Sequence, residues 1–165
     1  MFLTYLKERY RIKDSSYMFH NCRSLESIDL SNFNTSLVTN MNSMFLTCSS
    51  LTSLDLSSCD TGNVTAMTGM FTACSSLTSL DLSSLDVSKL ESIDNMFRFC
   101  SNLEELNFGG WNHSFNPNTG RFEMSEAFYH CDNLGSVVIP DNVTDVAVNA
   151  FSCCYNLTNV VMGAS

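Results

Sequence analysis

Apolar positions recur along this chain with a nearly fixed period. Six segments share the pattern Met/Ala-Phe-x-x-Cys-x-x-Leu, and they begin at Met18, Met44, Met70, Met96, Ala127 and Ala150. The first three steps between these segments are 26 residues, the fourth is 31 and the last is 23. Because one pattern returns six times, the structural unit is a short repeat and not a single irregular core.

Each repeat continues into a second apolar signature, L-x-x-L-x-L or a variant of it. The alternating L-x-L part places its apolar side chains on one face of a short strand. Between strands, apolar residues such as Val38, Met41, Phe45 and Cys48 lie three or four positions apart, which is helical spacing. One repeat cannot bury its apolar face alone, so the repeats must stack.

A period of about 20–29 residues with this signature indicates leucine-rich repeats. We predict an α/β leucine-rich-repeat solenoid, a right-handed horseshoe-like stack. Short parallel strands would line its concave face, and short helical or 3₁₀ turns its convex face.

The organisation along the chain follows from the repeat lengths. Residues 1–11 are predicted to be an N-terminal cap or flanking segment, and residues 12–165 a single solenoid of about six coils. Coils of 26 residues run to about residue 114, an irregular insertion covers 109–120, and 23-residue-type coils cover 121–165.

The two ends lead to further expectations. The N-terminus places its apolar residues before Lys7 and Arg9, an order unlike that of a secretory signal. The last coil would expose part of its core face. We therefore expect it to continue into further repeats, to be covered by another subunit or to pack on a partner.

The repeats also resemble a known family. The unit M-F-x-x-C-x-x-L-x-x-L-D-L-S resembles the 26-residue repeats of BspA-like leucine-rich-repeat surface proteins of bacteria. The unit from Ala127 to Thr144 is similar to the 23-residue BspA-type repeat. The resemblance covers about residues 12–165. It implies a cell-surface or extracellular protein that binds host matrix proteins or other cells.

Composition narrows the classes of function. The formal net charge is −9, and four of the eight basic residues lie within the first thirteen positions. Such an acidic body argues against nucleic acid as a partner. No apolar run reaches about 18 residues, so no membrane span is expected. No nucleophile elbow, phosphate-binding glycine loop or HExxH motif occurs, so we expect neither an enzyme nor a cofactor nor a metal.

Cysteine is unusually frequent, and its placement is regular. Six of the eight cysteines occupy one repeat position, namely Cys22, Cys48, Cys74, Cys100, Cys131 and Cys154. Coils about 4.8 Å apart would hold these side chains parallel, whereas a disulfide needs converging Cβ atoms about 3.8 Å apart. We expect buried thiols that pack as small hydrophobes. Cys153 is expected to face away from Cys154 and to be the exposed, reactive thiol.

The residues beside the core positions of each strand should point out of the concave face. They are the candidate binding residues: Ser27, Asp29, Ser53, Asp55, Ser79, Asp81, Glu105, Asn107, Val138 and Val161. This face starts acidic and becomes neutral and then apolar. Three aspartates about 5 Å apart should raise one another's pKa and attract a basic segment or a cation. A solvated repeat consensus is the alternative, and calcium is disfavoured because it needs about six oxygens around one point.

Two further features complete the sequence. A second polar column, Asn34, Asp60, Asp86 and Asn112, is expected to close the turn out of each coil. In the insertion, Trp111 falls on a core position, whereas His113 and Phe115 have no such slot and are candidate loop contacts. The alternative is that the insertion only absorbs the change in coil length.

These observations predict a non-enzymatic binding module for protein–protein adhesion, whose partner is a host matrix or cell-surface protein. The alternative is a structural or assembly subunit, or a docking module, whose end coil contacts a neighbouring subunit. A monomer that binds foreign proteins would favour the first, and self-association the second.

Overall fold

The computed structural model describes residues 11–109, 111, 123–139, 143 and 146–162. Within these residues the repeats stack in register, and the turn segments carry most of the connection between them. We call these segments the turn spine; in the six repeats they are residues 15–21, 41–47, 67–73, 93–99, 124–130 and 147–153.

Hydrogen bonds alternate along the turn spine. The N–H groups of Tyr17, Phe19 and Asn21 donate to carbonyl oxygens of the next repeat at 2.8–3.0 Å. The N–H groups between them donate within the segment, as in the 3.0 Å bond from His20 to the carbonyl of Tyr17. The same alternation returns in later repeats; for example, Phe45 donates to the next repeat at 2.9 Å. Every second amide therefore ties one repeat to the next.

The predicted helical or 3₁₀ turns are wrong for the residues that the structure describes, which contain no helix. A helix needs each N–H to donate three or four residues back, and here every second N–H is committed to the neighbouring repeat. Two residues per repeat also have a left-handed backbone, at φ between 51° and 64°. They are Tyr17 and Asn21, Ser43 and Thr47, Gly69 and Ala73, Asn95 and Phe99, Glu126 and His130, and Asn149 and Cys153.

Short parallel strands form the opposite side of the later repeats. Strand β1 (Ser79–Asp81) pairs with β2 (Glu105–Asn107), and β3 (Ser136–Ile139) pairs with β4 (Asn159–Met162). The register places equivalent residues side by side, such as Leu80 beside Leu106. The strands that we predicted in the first two repeats do not form. There, the 3.1 Å bond from the Thr52 N–H to the Glu26 carbonyl links the two segments.

Columns of equivalent side chains fill the core. The phenylalanines of successive repeats stack with ring centroids 5.1–6.0 Å apart and planes within 15°. The column consists of Phe19, Phe45, Phe71, Phe97, Phe128 and Phe151. Buried methionine, leucine, valine and cysteine side chains surround it. Offset aromatic stacking adds to the area that such a column buries.

The insertion does not interrupt this stack. Across it, the Phe97 N–H donates to the carbonyl of Ala127 at 2.9 Å. Trp111 is buried, as predicted, and its Nε1–H donates to the carbonyl of Leu82 at 2.9 Å. His113, Phe115 and Asn112 lie outside the described residues, as does the predicted N-terminal cap apart from Arg11.

The left-handed positions give a direct test of the spine. Ala73 has φ 59°, a conformation that costs an alanine about 1–2 kcal/mol and a glycine almost nothing. Glycine loses roughly 0.5–1 kcal/mol more backbone entropy on folding. We expect Ala73→Gly to raise the free energy of unfolding by up to about 1 kcal/mol in urea denaturation.

Ala66 is the matched control, because it forms an extended parallel bridge with Asn40. There Ala66→Gly gains nothing from relieved strain and should lower stability by about 0.5–1 kcal/mol. Equal destabilisation by the two substitutions would contradict the assigned geometry of the turn spine.

Candidate functional site

The candidate binding residues of the sequence all lie on the solvent-exposed side of the strand segments. We call this surface the strand face; it consists of Ser27, Asp29, Ser53, Asp55, Ser79, Asp81, Glu105, Asn107, Val138 and Val161. The core residues between them, such as Leu80 and Val137, are buried. Alternation along each segment thus separates the core from the surface. That the exposed residues bind a ligand stays a prediction.

Each aspartate of the strand face also holds the turn that follows it. The Oδ1 atoms of Asp29, Asp55 and Asp81 accept hydrogen bonds of 2.8–2.9 Å from the N–H group two residues later. Asn107 repeats this contact with the Gly109 N–H at 2.9 Å, and its Nδ2 donates to Asp81 Oδ1 at 3.1 Å. These side chains form Asx-turns, which fix the direction of each side chain.

These contacts overturn the expected pKa shift of the acidic column. Hydrogen bonds from the hydroxyl and then the N–H of Ser31, Ser57 and Ser83 lower the pKa of the three aspartates. At Asp55 the charge of Asp29 does act in the opposite direction, but it is the weakest of the causes. Repulsion between exposed carboxylates is screened by water, whereas a donor in direct contact is not. The column therefore stays charged at mildly acidic pH.

The character of the strand face changes along the stack. An open depression of about 520 Å³ crosses its middle, lined by residues that include Asp81, Glu104, Glu105 and Ser136. Beyond it, Val138 and Val161 are 59% and 44% exposed and lie side by side in the parallel register. An acidic surface thus runs into an apolar one along the strand face.

The second polar column closes turns, as predicted, where the structure describes it. Asn34, Asp60 and Asp86 each accept a hydrogen bond through Oδ1 from the N–H group two residues later, at 2.9–3.2 Å. These residues share the turn chemistry of the strand-face aspartates but not their place on the strands. The two aspartates among them, Asp60 and Asp86, provide matched controls for charge.

The cysteines form the predicted column of free thiols. In five repeats the Sγ atom donates to the carbonyl oxygen of a phenylalanine in the preceding repeat, at 3.0–3.2 Å. The donors are Cys48, Cys74, Cys100, Cys131 and Cys154. Our interpretation of these thiols as packing groups missed this bond. The Cys and the Phe hold the same two positions in every repeat, and this regularity could have suggested it. Three further expectations were wrong: Cys22 is exposed, and Cys153 and Cys154 are both half-buried.

Sequence reasoning also missed a cluster of aromatic and charged side chains on the turn spine. Phe99 and His130 occupy equivalent left-handed positions in neighbouring repeats and stack at 5.4 Å. Tyr129 and Tyr155 lie beside them, and the Arg98 guanidinium lies 4.5 Å from the centroid of the Phe99 ring. A comparison of aligned repeat positions could have found this cluster, because earlier repeats carry small or polar residues there.

The described residues hold no group of three or more His, Cys, Asp or Glu side chains placed to bind a metal ion. Within the same part of the chain, no helix is long and apolar enough to cross a membrane. The chemistry on these surfaces is that of hydrogen bonding, charge and apolar contact.

Repeat length, parallel strands and stacked cores define a leucine-rich-repeat protein. A family model described as "Mycoplasma protein of unknown function, DUF285" matches residues 13–138, which is more than half of the chain. The chain belongs to the DUF285 family. A second model, described as a BspA type leucine rich repeat region in six copies, matches residues 123–165. The resemblance to BspA-like repeats is therefore confirmed. A search of curated proteins gave no match.

Two solved structures are similar to this chain. A leucine rich cell surface protein from Faecalibacterium prausnitzii A2-165 is 23% identical, with a TM-score of 0.63 over 96% of this chain. This chain spans only 41% of the length of that protein, and at this identity the likeness concerns the fold. A leucine-rich repeat protein from Bacteroides ovatus ATCC 8483 is 16% identical over 93% of this chain and 65% of its own, with a TM-score of 0.25.

The cause of the low aspartate pKa can be tested at Asp81. Ser83→Ala removes the hydroxyl donor that contributes most, so the pKa of Asp81 should rise towards its ordinary value of 3.8. Ser84→Ala, next to it, should leave this pKa unchanged. NMR titration of the side-chain carboxyl measures both. Since a lowered pKa in the folded state stabilises the fold above the ordinary pKa, acid should remove this contribution at a higher pH in Ser83→Ala. An Asp81 pKa that starts above 3.8 would contradict the assigned contacts.

The thiol column predicts a pattern of chemical labelling. Burial raises the pKa of Cys48 to about 11 and of Cys74 to about 12, so their reactive thiolate is scarce at about pH 8. We expect iodoacetamide to label Cys22 quickly and to reach Cys74 and Cys100 only on unfolding. Peptide mapping by mass spectrometry, with and without urea, measures each site. Labelling of Cys74 at the rate of Cys22 in the native protein would disprove the buried column.

Proposed function

We propose that this chain is a non-enzymatic binding module that presents its strand face to a protein partner at the cell surface or outside the cell. Membership of a repeat family with BspA-type units supports this proposal. So does the likeness in fold to a protein described as a cell surface protein. In this proposal the repeats form one right-handed solenoid, and the strand face is its concave side.

The observation that carries the proposal is the fixed acidic column at one end of the strand face. Asp29, Asp55 and Asp81 each have Oδ1 engaged by a local N–H. The turn thus orients the carboxylate before any partner arrives, which lowers the entropy lost on binding. An ordered row of negative charge favours a partner segment with basic residues at matching intervals.

The apolar end of the strand face is the second part of the proposed binding surface. Val138 and Val161 are exposed side by side next to the acidic part. A partner segment that is basic at one end and apolar at the other would match both parts. Charge would then guide encounter, and apolar contact would slow dissociation. Proteins of the extracellular matrix and of cell surfaces are the proposed source of such segments.

One observation favours an assembly subunit as the second candidate function. All four residues of strand β4 are exposed, including Val160, Val161 and Met162. An exposed apolar strand of this kind pairs readily with another chain. Sedimentation of the purified chain discriminates between the candidates: self-association that buries β4 favours assembly, and a stable monomer favours the binding module.

The acidic column is tested with a charge-removing variant, Asp29→Asn, Asp55→Asn and Asp81→Asn together. Asparagine keeps the Oδ1 acceptor of each Asx-turn, so the fold should persist while three charges are lost. Solid-phase binding to fibrinogen and fibronectin at low ionic strength should weaken about tenfold, and added salt should reduce the difference.

The control variant is Asp14→Asn, Asp60→Asn and Asp86→Asn, which removes three carboxylates from Asx-turns outside the strand face. It should bind like the parent chain. Equal loss of binding in the two variants would show that binding depends on the net charge of the chain and not on the position of the charges. Equal binding by all three proteins would move the site away from the acidic column, and absence of binding by the parent would contradict a matrix-binding role.

A further inference from the structure

A groove on the turn spine lies apart from the strand face and has a different chemistry. It is open, has a volume of about 410 Å³ and follows the stack from the first repeat to the fifth. Two columns line it: the second left-handed residue of each repeat and the residue that follows each column cysteine. The lining residues are Arg23, Thr47, Ser49, Ala73, Ser75, Phe99, Ser101, His130 and Asp132.

Four of the nine residues that line the groove carry a hydroxyl group. Ser49, Ser75 and Ser101 line it in three successive repeats, about 4.8 Å apart along the stack, and Thr47 adds a hydroxyl from the same repeat as Ser49. A hydroxyl both donates and accepts hydrogen bonds. Such a row therefore suits a ligand that itself carries many hydroxyl groups.

At the other end of the groove, Phe99 and His130 line it, and Tyr129 and Tyr155 lie beside His130. Phe99 stacks on His130 at 5.4 Å, Tyr129 meets both rings edge-on at 5.6 and 4.7 Å, and Tyr155 lies 6.3 Å from His130. Phe99 is 39% exposed and Tyr155 is 74% exposed. Part of Phe99 and most of Tyr155 are thus accessible to a ligand.

Contacts with charged side chains hold Phe99, Tyr129 and His130 in place. The Arg98 guanidinium packs 4.5 Å from the Phe99 centroid and 5.2 Å from the Tyr129 centroid, and its Nε lies 2.9 Å from Glu126 Oε2. His130 Nδ1 lies 3.2 Å from Asp132 Oδ1. Rings that are already fixed lose little entropy when a ligand packs on them. Arg98 and His130 thus each have an acidic neighbour, Glu126 and Asp132.

The fold itself does not call for Phe99. Its left-handed φ of 62° is uncommon for a bulky residue, and the same position holds Asn21, Thr47 and Ala73 in earlier repeats. The ring is partly exposed, so its burial offsets little of the strain.

We propose that this groove binds a neutral oligosaccharide, with one pyranose ring against the exposed part of Phe99, a second on Tyr155 just beyond the end of the groove, and further sugar hydroxyls bonded along the serine and threonine row. The C–H groups of one pyranose face carry partial positive charge and pack on the negative face of an aromatic ring. The equatorial hydroxyls point sideways, towards donors and acceptors. The site extends the proposed protein-binding role to a second ligand class on a second surface.

The test replaces the aromatic residues with residues from equivalent positions of other repeats. In Phe99→Asn and Tyr155→Ser, asparagine and serine already occur at the same repeat positions, at Asn21 and Ser75, so the stack should be kept. Immobilised six-unit oligosaccharides of glucose, mannose, galactose and N-acetylglucosamine serve as probes, beside a proline-rich peptide. We expect the parent chain to bind at least one oligosaccharide and the double variant to bind it about tenfold more weakly.

Two controls separate this site from other surfaces. Tyr17→Asn removes another exposed aromatic residue at a left-handed position, φ 56°, that does not line the groove. It should leave sugar binding unchanged, as should the triple asparagine variant of the strand face. Sugar binding that survives Phe99→Asn with Tyr155→Ser, binding of the peptide in place of every sugar, or binding of no probe would each overturn the proposal.

Discussion

The hydrogen bonds that run from each turn segment to the next are the constraint on which the rest of this structure depends. Alternate amides of the turn spine donate to the following repeat, while those between them close turns. In the first five repeats the two left-handed residues both donate to the next repeat. Strain of about 1–2 kcal/mol at each non-glycine position is thus offset by a continuous ladder of hydrogen bonds. Buried amides need partners, and only a neighbouring repeat supplies them. One repeat alone would satisfy neither its amides nor its apolar face.

This ladder fixes the register, and the register turns single residues into columns. Phenylalanine rings stack at 5.1–6.0 Å, and cysteine thiols reach carbonyls of the preceding repeat at 3.0–3.2 Å. The same geometry acts on the surface. Asp29, Asp55 and Asp81 form an acidic row on one side, and hydroxyls with aromatic rings form a groove on the turn spine. In a protein of this kind a binding surface is made by changing one repeat position in several copies.

Three features could be predicted because they follow from repeat position and polarity alone. They are the repeat period, the column of cysteine thiols and the burial of Trp111. The conformation of the turns could not be predicted. The spacing of Met, Phe and Cys agrees with a helix, and many left-handed positions hold Tyr, Thr, Ala or Phe, which give no local signal; only the Asn residues and Gly69 hinted at it. The predicted direction of the aspartate pKa shift was wrong. The prediction considered the charges along the column and not the serine two residues after each aspartate. The aromatic cluster was missed because it is a departure from the repeat, visible only when the copies are compared position by position.

Hydrogen exchange of individual amides, followed by NMR, tests the central role of the turn spine most directly. In the first two repeats the spine amides of Phe19 and Phe45 donate to the next repeat at 2.9 Å. They should exchange near the rate of global unfolding, whereas the amides of Ser27 and Ser53 on the strand face should exchange much faster. Slow exchange at Ser27 and Ser53 with fast exchange at Phe19 and Phe45 would show that the strands, and not the turns, hold the repeats together, and would contradict this account.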